Sequence, residues 1–350
     1  MRQSFLERLQ IKYPIVQAGM AGGVTTPELV SEVSRIGALG TVGAGYMNPA
    51  ELQKTIRHVK LLTNRPFAVN VFATDLTVKT NNVRESQLFL NHFRDELNLQ
   101  HGSDYVQATD YLENNIDVII EEEVPIISTA FGILPRALIK KVKEKNIYLI
   151  GMATNVEEAE KLIAAGYDAI VAQGTEAGGH RGTFDVETYP FGCQIGLLPL
   201  VEQCLAALSV PIIAAGGIYS QNQVNALFSM GVSAVQIGTR FLLAEEAGTN
   251  TSYRQAILQA KAEDTVITKV FSGRPARAIQ NRMTKEAEKN QQVIQPFPIQ
   301  NALTKEIRTE AKRRENRDYQ SLWAGQGVGG LTKEETAASI VCDLIGDNFD

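Results

Sequence analysis

The chain is 350 residues long, 44% hydrophobic and 21% charged, with 28 glycines and 12 prolines. This ordinary composition excludes a disordered chain, a collagen-like repeat and a disulfide-dense mini-protein. A balance of 34 Lys and Arg against 39 Asp and Glu, net −5, gives no electrostatic reason to expect nucleic acid. Only three cysteines occur (Cys193, Cys204, Cys342), none in a CxxC pair, which argues against a disulfide framework and a zinc site. The first residues, MRQSFLERLQIKYP, lack the apolar core of a signal peptide, and no apolar run approaches the roughly 18 residues of a membrane span. A cytoplasmic protein with no membrane partner is the expectation.

In chain order, short apolar runs recur at residues 14–20, 38–45, 66–72, 125–132, 148–154, 169–174, 211–218 and 234–239. Without strict alternation they read as strands buried on both faces of a parallel sheet. Helix-start chemistry falls between them: Thr26-Pro27, Asn48-Pro49-x-Glu51, Asn155-x-x-Glu158 and Ser220-x-x-Gln223. Eight β-then-α units predict a (β/α)8 TIM barrel, with a doubly wound open sheet as the alternative. The barrel is expected over 1–72 and 124–244. Residues 73–123 read as two helices, one of them a helical insertion after the third strand. Residues 245–330 would form a smaller, mainly helical substrate or lid domain, and 331–350 a last helix returning to the barrel, opened by a Thr332-x-x-Glu335 capping box. Residues 251–320 hold 14 Lys and Arg against 8 Asp and Glu, a positive segment able to attract an anion. Within it, Lys312-Arg313-Arg314 reads as a solvated helix face.

The strand ends carry the chemistry. Gln173-Gly174-Thr175-Glu176-Ala177-Gly178-Gly179-His180-Arg181-Gly182 follows the sixth strand, and its glycines let backbone approach a ligand. His180 there can be a general base or a hydrogen-bond donor to a developing anion. Ala215-Gly216-Gly217 and Gln236-Ile237-Gly238-Thr239 end the seventh and eighth strands, where barrels bind phosphate through backbone N–H groups. Asn70 and Gln173 project amides from other strand ends, which suits the mixed donor and acceptor edge of a flavin. His58, His92 and His101 lack partners at metal-ligand spacing, so no metal is expected.

PIVQAGMAGG, PFAVNVF, QGTEAGGHRG, PIIAAGGI, QIGTRF, FSGRPARAIQNRM and LWAGQGVG together make the chain resemble the FMN-dependent nitronate monooxygenases of the bacterial class. The resemblance runs over nearly the whole chain. It implies a barrel carrying non-covalent FMN, with contacts at Asn70, Gln173, Gly178, Gly217, Gln236, Ile237, Gly238 and Thr239. His180 matches the family's active-site histidine. The implied reaction is the oxidation of an alkyl nitronate, propionate 3-nitronate in particular, by O2 to a carbonyl compound plus nitrite and some nitrate, a detoxification. His180 would then hydrogen-bond the nitro oxygens and act as a base only toward a neutral nitroalkane. From charge alone, Lys305 or Arg308 would meet the substrate carboxylate. Two other readings are an NADH-dependent FMN enoyl-acyl-carrier-protein reductase, which shares the barrel and the Gly-Gly-His loop, and a non-catalytic flavin-binding module. A homodimer is compatible with all three.

Overall fold

The structure is a computed structural model, and residues 1–346 are described. Every predicted run forms a strand: β1 (Ile15–Gln17), β2 (Gly40–Gly43), β3 (Phe67–Phe72), β4 (Ile126–Ala130), β5 (Tyr148–Ala153), β6 (Ala169–Gln173), β7 (Ile212–Ala215) and β8 (Ala234–Ile237). They pair in parallel in the order β1-β8-β7-β6-β5-β4-β3-β2. A parallel bridge from Val16 to Leu39, with Gln17 N donating to Leu39 O at 2.9 Å, brings β1 back to β2 and closes the (β/α)8 barrel.

Alternate residues face opposite ways along a strand, and here both ways are apolar. Val16, Ala68, Ile126, Tyr148, Ile150, Val171, Ile213 and Ala234 fill the barrel interior, which the helix Arg2–Leu9 plugs with Phe5, Leu6 and Leu9. Their neighbours Val69, Ile127, Leu149, Ile170, Ile212 and Val235 pack outward under the helical shell. The same alternation turns Asn70, Gln173 and Gln236 inward at the C-terminal strand ends.

The helix starts mostly follow the capping pattern. Full capping boxes form at Asn48/Glu51 and Ser220/Gln223, and Thr26 caps a helix whose first residue is Pro27. Asn155 accepts from Glu158 N, but the Glu158 carboxylate turns away to Thr154 and Phe184 N. The expected box at Thr332 does not form. The last helix begins at Ala337 with Thr336 as its cap, because Glu335 is drawn into an ion pair with Arg240 at 2.9 Å. That helix, Ala337–Ile345, buries Ile340, Val341 and Leu344 in the outer core. Positions 347–350 of the predicted segment lie outside the described residues.

Between β3 and β4 lie the two expected helices, Arg84–Glu96 and Leu112–Glu121, with an antiparallel strand pair, Val78–Thr80 and Val106–Ala108, that sequence reasoning missed. Leu112–Glu121 packs in the barrel shell through Ile116 and Ile119, whereas Arg84–Glu96 belongs to a second core. There Val83, Leu90, Phe93 and Leu97 meet Phe271, Met283, Leu303, Ile307 and Tyr319 from beyond residue 245. The region after β8 also holds a small antiparallel sheet, Thr265–Thr268, Ala276–Ile279 and Gly179–His180. Among the described residues no helix is long and apolar enough to cross a membrane.

Candidate active site

A cavity of about 680 Å³ opens over the C-terminal ends of the barrel strands, between the barrel and the second core. Asn70, Gln173, Gly178, Gly217, Gln236, Gly238 and Thr239 all line it, with His180 on its wall. Ile237 contributes backbone only, since its side chain is buried in the outer core.

The floor has two chemistries. At the β7 and β8 ends, the N–H groups of Gly216, Gly217, Gly238 and Thr239 donate to no protein acceptor among the described residues. Unpaired N–H groups at the start of the short helix Thr239–Leu243 form a cradle for an anion. Arg240, beside them, is engaged by Tyr219 O, Asp343 and Glu335. The Thr239 hydroxyl accepts from Gly325 N at 3.0 Å, so the C-terminal Trp323-Ala324-Gly325 segment closes one side of the cradle. Nearer the centre, Asn70 Nδ2 donates to Ser128 Oγ at 2.9 Å and Gln236 makes no side-chain hydrogen bond among the described residues, which leaves amide groups for a ligand edge. Gln173 is busier than expected. Its Oε1 accepts from Gly182 N at 2.8 Å and its Nε2 donates to His180 O at 3.0 Å, so it also shapes the glycine loop.

That loop is held by arginines. Arg181, fully buried, donates to the carbonyls of Gly174 (2.7 Å), Gln173 (3.0 Å) and Cys193 (3.3 Å). Arg277 donates to Thr175 O at 3.0 Å, and Arg274 to Thr183 O. Burial pushes Arg181 and Arg274 each down to about 10, still charged at neutral pH. The buried cations tie the glycine-rich segment down and leave positive charge behind the site.

His180 pairs with Ala276 in the small sheet. Its Nε2 lies 2.8 Å from Ser272 Oγ, and Nδ1 has no protein partner among the described residues. Phe131, Phe297, Phe72 and Trp323 surround the ring at centroid distances of 5.5, 6.2, 6.5 and 5.2 Å. Burial in this box pushes the imidazole down to about 3, helped by the charges of Arg274 and Arg308, so it is neutral in ordinary buffers. Arg274 sits 4.1 Å from the Phe131 ring centroid.

The roof is the helix Ile299–Arg313. Asn301, Lys305, Arg308 and Lys312, spaced i, i+4, i+7 and i+11, line the cavity, while Leu303, Ile307 and Ala311 enter the second core. Arg308 is half-buried. Its Nε donates to Thr304 Oγ1 at 3.1 Å and its Nη2 to Asn301 Oδ1 at 2.8 Å, and Nη1 has no protein partner among the described residues. Lys305 and Lys312 stand at the rim. Lys312 is thus exposed like the rest of its cluster while also bordering the cavity mouth, and Arg313 and Arg314 pair with Glu310 outside. The helical spacing could have revealed this stripe in the sequence. Ser272, Arg274 and Phe297 carried no such signal. His58, His92 and His101 lie on the surface beside Glu28, Glu96 and Asp95.

Free backbone N–H groups and amides at the strand ends of a closed (β/α)8 barrel, roofed by cations, define a barrel protein of the class that takes an anionic ligand at its C-terminal face. A family model for nitronate monooxygenase matches residues 3–347. A probable nitronate monooxygenase of Staphylococcus saprophyticus is 41% identical over 319 residues, covering 91% of this chain and 90% of that protein. The nitroalkane oxidase of Streptomyces ansochromogenes superposes with a TM-score of 0.89 at 33% identity, over 98% of this chain and 96% of that one. FabK of Thermotoga maritima follows at 0.75 and 26% identity, over 98% and 94%. The chain belongs to the nitronate monooxygenase family and is a flavin-dependent oxidoreductase.

Proposed function

We propose that the chain binds FMN and oxidises short alkyl nitronates with O2, propionate 3-nitronate foremost, to a carbonyl compound and nitrite with some nitrate, removing a toxic anion. The observation that carries this reading is the cationic stripe of the roof helix, with Lys305 and Arg308 lining the same cavity as His180. A nitronate arrives already deprotonated, so the chain must bind and orient an anion rather than generate one. The cradle of Gly216, Gly217, Gly238 and Thr239 suits the FMN phosphate, and Asn70, Gln173 and Gln236 suit the polar edge of the ring. When bound, FMN supplies the electron acceptor that side chains lack. Arg308, with Lys305 at the rim, meets the carboxylate of the substrate, and His180 stands by the nitro group. The phenylalanines and Trp323 exclude water, which strengthens each of these contacts.

The test is oxygen consumption by the purified protein with propionate 3-nitronate, with NADH oxidation as the control. Uptake with the nitronate and none supported by NADH is the expected outcome. Thioester-dependent NADH oxidation without nitronate turnover would replace this reading with the enoyl reductase.

A further inference from the structure

We propose that Ser272 is a positioning residue that holds His180 with its single imidazole hydrogen on Nδ1, so that the histidine offers the cavity a hydrogen-bond donor. Ser272 is 1% exposed, and its Oγ has three polar neighbours: His180 Nε2 at 2.8 Å, Arg274 N at 3.2 Å and Arg274 O at 3.2 Å. The Arg274 amide can only donate, and 3.2 Å is within the range for N–H···O. For O–H···O the usual range ends at about 3.0 Å, so the Arg274 carbonyl is a poor target for the hydroxyl hydrogen. Nε2 at 2.8 Å is a good one. A hydroxyl that donates to Nε2 makes that nitrogen the acceptor, and in a neutral ring the hydrogen then resides on Nδ1. Nδ1 is the nitrogen with no protein partner among the described residues, on the residue that lines the cavity.

The backbone that carries the hydroxyl is closely packed. Gly273 adopts φ +86°, and a Cβ there would lie 2.4 Å from Gln295 O and 2.5 Å from Phe297 N, so the turn is locked against the segment that supplies Phe297. Four residues after Ser272, Ala276 pairs with His180 itself, so the turn that carries Ser272 leads directly into the strand beside His180. The charged groups facing the ring are Arg274 from the turn and Arg308 from the roof helix, with Tyr46 beyond Phe72. Both arginines oppose a second proton, which agrees with a neutral imidazole. Nitronate oxygens only accept hydrogen bonds, so an Nδ1 donor serves them without proton transfer. The same tautomer offers no lone pair to a neutral nitroalkane, which predicts a preference for the nitronate. The identity of the acceptor rests on the function proposed above; the tautomer does not.

The chain has four histidines, so 15N-histidine labelling of the purified, flavin-containing protein gives a readable spectrum. The expected result is a His180 with protonated Nδ1 and unprotonated Nε2 that does not titrate between about pH 5 and pH 9. Ser272→Ala should mix or reverse the tautomers and lower kcat for propionate 3-nitronate by about tenfold, the worth of one hydrogen bond. Ser272→Thr, which keeps the hydroxyl, should restore both. A wild-type His180 protonated on Nε2, or unchanged His180 resonances in Ser272→Ala, would overturn the assignment. The spectrum needs no turnover. Protonated Nδ1 in a protein that consumes no O2 with the nitronate would support the tautomer and count against the nitronate reading alone.

Discussion

Gly217 and Gly238 sit at neighbouring strand ends, yet a side chain would do different things at each. Gly217 has φ +66°, so any substitution there strains the backbone before it touches a ligand. Gly238 has φ −112°, and an added Cβ would meet only Ala18 Cβ and Met20 Sδ at an ordinary 3.7 Å. Gly238→Val should therefore fold normally while its branches fill the anion cradle. We expect wild-type unfolding with most of the flavin lost, read from the protein and flavin absorbance of the purified variant. Full FMN occupancy would remove the cradle from the site. Arg308 is the other informative residue. A hydrogen bond to a charged group contributes about 1.5–3 kcal/mol, so Arg308→Ala should lower kcat/KM for propionate 3-nitronate by about 10–150-fold. Ethyl nitronate, which has no carboxylate, should lose far less, and an oxygen electrode compares the two. Equal losses would mean that Arg308 does not read the carboxylate. At this scale the strand-end glycines and amides were legible because residue type and strand position coincide. Ser272 was not, because its meaning depends on a contact with a residue 92 positions away.

Elements were legible in proportion to their periodicity. The barrel strands announced themselves as apolar runs, and the caps at Asn48 and Ser220 marked helix starts by local chemistry alone. The strands Val78–Thr80, Val106–Ala108 and Gly179–His180 are two or three residues long, too short for any alternation to show. Thr332-x-x-Glu335 misled for a different reason, since a tertiary ion pair with Arg240 outcompeted the local cap. The helix Ile299–Arg313 shows what a regular element adds, because one face anchors it and another serves the site. Ile307 is fully buried in the second core that Phe93 and Leu303 share and does not line the cavity. Truncation of such a residue costs about 2–5 kcal/mol. Ile307→Ala should lower the urea midpoint accordingly, with the variant still binding flavin under conditions where it is folded. A loss below about 1 kcal/mol would show that the helix is not held by this face.

At the scale of the molecule, the site exists because three distant parts of the chain share one cavity. The barrel gives the floor, the Gly179–His180 strand joins a sheet built from residues beyond 264, and the roof helix shares its apolar core with the insertion helix Arg84–Glu96. Nothing in the sequence announces that shared core, since its halves lie about two hundred residues apart. The roof also bears on which electron donor the protein uses. An acyl-thioester arm needs an apolar channel, but beyond Pro298 and Ala302 the roof presents Asn301, Lys305, Arg308, Thr309 and Lys312. Cations at those positions suit a short anion, and an acyl chain in their place would cover the half-buried Arg308 without pairing its charge. Electrons should then come from the substrate itself. Mixed anaerobically with NADH, the oxidised protein should keep its yellow absorbance for many turnover times, whereas propionate 3-nitronate should bleach it. Rapid bleaching by NADH together with reduction of a crotonyl thioester would mean that the cationic roof admits an acyl chain after all, and would overturn the nitronate assignment.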